Sequence, residues 1–98
     1  MARLMLFWEL DVNRIPEDPK TRATAWNQLL GAVKQDMEQG IMKQWGAFIG
    51  ENAGYCVVEG NEIDISALLQ RYVPHAKFKT HPVLTVHETE DMLRKLTK

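Results

Sequence analysis

Between Arg3 and Val12 the chain alternates, and the alternation is uneven. A strand over this stretch puts Leu4, Leu6, Trp8, Leu10 and Val12 on one face and Arg3, Met5, Phe7, Glu9 and Asp11 on the other. The first face is wholly apolar. The second starts apolar and ends acidic, so both sides of this strand need cover.

A proline-rich and acidic stretch, NRIPEDPKTR, ends the extended run. Asp18 is placed to cap a helix whose first residue is Pro19. Trp26, Leu29, Leu30, Val33 and Met37 then recur at helical spacing as far as Gln39, and Gly40 occupies the usual position of a C-terminal cap. A second strand is predicted in IMKQWGAFIG, a turn in GENAG and a third strand in GYCVVEG, the short link making the two an antiparallel hairpin. In the second strand Ile41, Trp45, Ala47 and Ile49 fall on one parity, Met42 and Phe48 on the other. A second helix follows, capped by Asp64, striped by Ile65, Leu68, Leu69 and Tyr72, and stopped by Pro74. The fourth strand is expected from about Phe78 to Val86, and a short amphipathic helix with Met92, Leu93 and Leu96 on one side closes the chain.

This order is β-α-β-β-α-β with a C-terminal helix, an α+β pattern of the split βαβ, or ferredoxin-like, kind. It predicts a four-stranded antiparallel sheet with both main helices on one face, in a single domain spanning residues 1–98. The second face of the sheet then lacks a cover. Strands with two apolar faces are buried on both, and the identical sheet of a second copy, packed face to face about a twofold axis, is the simplest solution.

Composition narrows the function classes. The chain is 45% hydrophobic and 26% charged, an ordinary globular balance. A net charge of −1 gives no general attraction to polyanions, which speaks against nucleic acid. Glu9 interrupts the longest apolar candidate for a membrane span. With one cysteine, Cys56, and no secretory leader pattern, a cytoplasmic location is expected.

The segment ALLQRYVPHAKFKTHPVLTV, a helix ending in an aromatic, a short turn and a strand reading F-x-x-x-P-V-L, resembles the corresponding part of small uncharacterised members of the dimeric α/β-barrel superfamily. The resemblance in pattern covers nearly the whole chain. It implies two ferredoxin-like subunits packed sheet on sheet, in a group that includes cofactor-independent monooxygenases, muconolactone-type isomerases, haem-degrading enzymes and domains without assigned activity. The Asn, Trp and His set of the haem-degrading members has no match in this chain, so no cofactor is implied, and membership does not fix the chemistry.

Candidate site residues stand beside plainer readings. Trp8, Trp26, Trp45 and Tyr55 are the candidates for lining a pocket for a flat apolar ligand, although aromatics also serve as core and interface anchors. Glu9, Tyr55 and His81 are the candidate catalytic groups: Trp8 and Glu9 on the first strand and Tyr55, Cys56 and Glu59 on the third share the centre of the sheet, where an apolar cavity would make Glu9 a general base. The plainer reading leaves Glu9 exposed near a strand end. Cys56 has no neighbouring base and reads as a small buried apolar residue.

His75, His81 and His87 are evenly spaced, but a metal site would require all three on one strand, and His75 falls before the fourth strand and His87 after it, so no metal is expected. GYCVVEG shares Gly54, Tyr55 and Val58 with the RNA-recognition motif on strand three. It has Ala53 in place of a basic residue and Val57 and Gly60 in place of the stacking aromatics, and so lacks the chemistry of base binding. Lys77 and Lys79 beside His75 and His81 form a small basic patch, read first as lysines guarding a strand edge. No phosphate loop, nucleophile elbow, CxxC pair or HExxH motif occurs. The sequence therefore points to a homodimeric module binding a small apolar or aromatic molecule without clear catalytic machinery, the alternative being a cofactor-independent monooxygenase or isomerase.

Overall fold

The computed structural model describes residues 1–97. The elements run β1 (Ala2–Leu10), α1 (Pro19–Glu38), β2 (Met42–Ala47), β3 (Ala53–Gly60), α2 (Glu62–Gln70), β4 (Ala76–Pro82) and α3 (Val86–Leu96), with one 3₁₀ turn at Val12–Arg14 between β1 and α1. The four strands form one antiparallel sheet in the order β2-β3-β1-β4. The protein is thus an α+β structure with three helices, in an order compatible with the ferredoxin-like pattern.

Local chemistry accounts for most boundaries. Asp18 accepts from the Thr21 backbone N–H at 3.0 Å and Pro19 opens α1. That hydrogen bond, more than any other influence, holds the Asp18 carboxyl below its usual range. At the far end Gly40 takes φ 90°, the left-handed turn that stops the helix. The cap of α2 is Asn61, which accepts from the Asp64 N–H at 2.8 Å, rather than Asp64 itself. Asp64 is instead a first-turn acid, which favours the same helix end. The fourth strand stops at Pro82, earlier than the pattern predicts, because Thr85 and Glu88 form a reciprocal capping box that starts α3 at Val86.

Register fixes two unlike faces. Leu6 pairs with Cys56, and Trp8 with Gly54 on β3 and Phe78 on β4, so these residues share a face. A bulge between Met42 and Gln44 brings Met42 and Trp45 onto that same face, correcting the strict alternation expected for β2. Against it lie Val33 of α1 and Ile65 and Leu68 of α2, and the whole forms the buried core. Leu6 and Val58 are fully buried within it. Trp8 sits flat over Gly54: a Cβ there would fall 2.0 Å from the Gly46 carbonyl oxygen and 2.5 Å from the indole ring. The Trp8 indole N–H donates to the Tyr55 carbonyl at 3.2 Å.

Among the described residues no layer covers the opposite face. It carries Met5, Phe7 and Glu9 of β1, Tyr55, Val57 and Glu59 of β3, and Lys77, Lys79 and His81 of β4. Phe7 lies 5.7 Å from the His81 ring and 6.4 Å from Phe48, and Phe48 lies 6.4 Å from Tyr55, all between centroids. Among the described residues none of α3 is buried, and Met92, Leu93 and Leu96 stay exposed.

Candidate functional site: a cleft along helix α1

The cleft-facing side of α1 carries Arg22, Ala25, Trp26, Leu29, Ala32 and Asp36, each three or four residues from another of the set, which keeps them on one helix face. Ala25 and Ala32 are interspersed among its large residues and leave room. There the structure opens a cleft of about 370 Å³, bounded by this stripe, by the β1–α1 connection from Leu10 to Pro16 and by the α2–β4 turn from Arg71 to Ala76. Its volume falls within the roughly 300–1,000 Å³ usual for small-molecule sites.

At one end lies a charged group inside the fold. Asp36 is 2% exposed, accepts from Arg71 at 2.6 Å and also takes a short hydrogen bond from the Tyr72 hydroxyl. Neither carboxylate oxygen is left without a partner, as a buried charge requires. Burial, and secondarily the hydrogen bond to Asp36, pushes the Tyr72 phenol above its ordinary value of 10. The periodic reading ended the α1 stripe at Met37, which is 41% exposed, and missed Asp36 one residue earlier. Its position three residues after Val33 was the available signal; its partners lie 35 and 36 residues away and no local pattern points to them.

At the other end the charges are unequal. Asp11 has Arg14 at 3.4 Å and Asp36 has Arg71, whereas Arg22 has no carboxylate within salt-bridge distance among the described residues. Its Nη1 instead donates to the carbonyls of Pro16 at 3.4 Å and Glu17 at 3.1 Å, which fixes the side chain beside the cleft mouth.

The sequence-predicted site residues divide among three places. Trp8 stacks on Trp45 at 5.2 Å and meets Trp26 edge-on at 6.1 Å, forming one aromatic cluster in the core. Of the four predicted ligand-binding aromatics, Trp26 alone borders the large cleft, and Tyr55 lies on the opposite side of the sheet. The shared cavity proposed for Trp8, Glu9, Tyr55, Cys56 and Glu59 is not formed: Trp8 and Cys56 point to the helices, and Glu9, Tyr55 and Glu59 to the open face. The cause is the two-residue repeat of a strand, which separates neighbours that a linear reading groups together.

Glu9 is exposed opposite Lys77, and His81 is exposed beside Phe7. His75 precedes β4 and His87 lies in α3. Among the described residues no group of three or more His, Cys, Asp or Glu side chains is placed to hold a metal ion, and no helix is long and apolar enough to cross a membrane. Cys56 is 1% exposed, and burial pushes its thiol up to about 12.

Fold and site together define a small α+β protein with a ligand-sized cleft on its helical side. Compared with models of known protein families and with curated proteins, the chain matches none.

Proposed function

We propose that this protein is a non-catalytic small-ligand-binding module that works as a homodimer, in the manner of the dimeric α/β-barrel superfamily. The observation that carries the binding part is the cleft of about 370 Å³, walled by Trp26, Leu29 and Leu10 and bordered by a few fixed polar groups. Binding is favoured over turnover because the acids of its wall are engaged: Asp11 pairs with Arg14, both Asp36 oxygens are occupied, and the Tyr72 hydroxyl is spent on one of them. Glu9, Tyr55 and His81 stand on the far side of the sheet from it.

The dimer part is supported by the open face. Phe7 is 40% exposed at the centre of an apolar strip with Met5, Val57, Tyr55 and Phe48. An identical strip, applied about a twofold axis, is self-complementary and removes it from water. The exposed apolar side of α3 is a second surface that one copy leaves bare.

Native mass spectrometry of the protein as purified from cells tests both parts. The expected result is a dimer carrying one small molecule per subunit, or one that takes up a small aromatic probe in that ratio. A monomer, unchanged by Phe7→Asp, would overturn the dimer, and a chain that retains and accepts no small molecule would overturn the binding module.

A further inference from the structure

Resting on the reading of the cleft as a binding site, the charge pattern at its mouth points to the kind of ligand. We propose that the cleft selects a flat apolar molecule with one anionic head, a carboxylate held by Arg22 while the body lies along Ala25, Trp26 and Leu29.

Three observations converge. Every carboxylate on the lining has its own arginine, Asp11 with Arg14 and Asp36 with Arg71, so the formal charge left over among the lining groups is the positive charge of Arg22. Beyond the lining, Arg22 feels the more distant Asp18 carboxylate without forming an ion pair with it. That guanidinium is fixed through Nη1 by the Pro16 and Glu17 carbonyls. No protein acceptor among the described residues takes its Nε or Nη2 hydrogens, the edge that binds a carboxylate through two parallel hydrogen bonds. Trp26 follows Arg22 by four residues, one turn along the same helix face, so an anion on the arginine sets its attached body against the indole. Ala25 and Ala32 are both exposed, the small side chains keeping the floor of the cleft clear for that body.

The test uses three naphthalene probes of one shape and different charge: 2-naphthoate, neutral 2-naphthol and cationic 2-(aminomethyl)naphthalene, titrated calorimetrically into the full chain at low salt. A charge-assisted bidentate contact predicts that naphthoate binds about tenfold or more tighter than naphthol, with the cation weakest. Arg22→Gln is expected to bring naphthoate down to the level of naphthol without changing naphthol, and Arg22→Lys to retain part of the preference. Ala25→Leu, which fills the floor, is expected to weaken both.

Equal affinity for the three probes, unaltered by Arg22→Gln, would overturn the head-group assignment and leave the binding module standing. A loss of naphthol affinity in Arg22→Gln as large as the loss for naphthoate would also overturn it, because the arginine would then shape the wall through Pro16 and Glu17. Binding of none of the probes would overturn the site itself and the ligand class with it.

Discussion

Tyr72→Phe removes a single oxygen and interrogates one of the two polar ties, both made through Asp36, between α1 and the α2–β4 corner. The hydroxyl donates to Asp36, a carboxylate that is 2% exposed, so the lost bond is charge-assisted and its acceptor is out of water. Bonds of this type contribute about 1.5–3 kcal/mol. Because the phenol is only half-buried, the lower end applies, about 1.5 kcal/mol, which for a chain of this size lowers the melting temperature by about 6–10 °C. Arg71 also bonds Asp36, but its side chain is 59% exposed, and solvent screening of the guanidinium reduces what the pair contributes. The neutral phenol is therefore expected to matter more than the cation.

The pH dependence has a definite sign. The folded-state pKa of Tyr72 lies above the ordinary value of 10, so the stability linked to it is fully present below pH 10 and is lost as pH rises past that value. In urea denaturation followed by circular dichroism, the gap between wild type and Tyr72→Phe should be widest near neutral pH and narrow above pH 10. Combining Tyr72→Phe with Asp36→Asn should show coupling of about 1 kcal/mol. A Tyr72→Phe protein as stable as wild type, or a cycle without coupling, would refute the argument.

Cys56 offers a chemical readout of the core. With its thiol raised from 9.0 to about 12 and 1% exposed, it should stay unmodified by a thiol reagent at pH 8 in the native protein and react within the dead time in denaturant; rapid native labelling would count against its burial. Gly54→Ala should destabilise by about 3 kcal/mol, since the new Cβ would meet the Gly46 carbonyl at 2.0 Å, a backbone atom that cannot swing aside. A melt within a degree or two of wild type would show that the β2–β3 pairing is looser than described.

Much of the architecture was legible because it rests on local chemistry. Asp18, Pro19 and Gly40 bound α1 through a side-chain cap, a missing N–H and a left-handed turn, all set by residues within a few positions. The hairpin of β2 and β3 follows from its short link. What escaped was non-local. The bulge at Met42–Gln44 reverses parity at the start of β2 and leaves no signature in a sequence already apolar on both parities. Asp36 reads as a surface acid until Arg71 and Tyr72 are brought to it by the fold. The cleft escaped for a related reason: pattern reading tracks where large apolar residues stand, whereas this cavity is made by the alanines between them. α3 was legible as a helix from its periodicity, but a periodic apolar stripe does not say whether its cover comes from the same chain, and among the described residues Met92, Leu93 and Leu96 stay exposed.

The two proposed tasks, ligand binding and dimer contact, fall on opposite faces of the sheet, and their independence can be measured. The cleft is built from α1, the β1–α1 connection and the α2–β4 turn, whereas the strip around Phe7 lies across the full thickness of the sheet from it. A strand sends successive side chains to opposite faces, so Leu10 of β1 borders the cleft while Phe7 and Glu9 of the same strand face the other way. The proposed dimer contact therefore neither covers the cleft nor lends it a residue. Phe7→Asp places a charge in a contact that must lose its water, a cost of several kcal/mol, and is expected to shift the dimer to monomer in light scattering. If the monomer stays folded, it should bind naphthoate with the affinity of wild type, and Arg22→Gln should in turn leave the dimer intact. The assembly state would then be indifferent to ligand, as a binding site and an interface sharing no side chain require. A folded Phe7→Asp monomer that has lost naphthoate binding would refute this separation and place the partner subunit at the cleft.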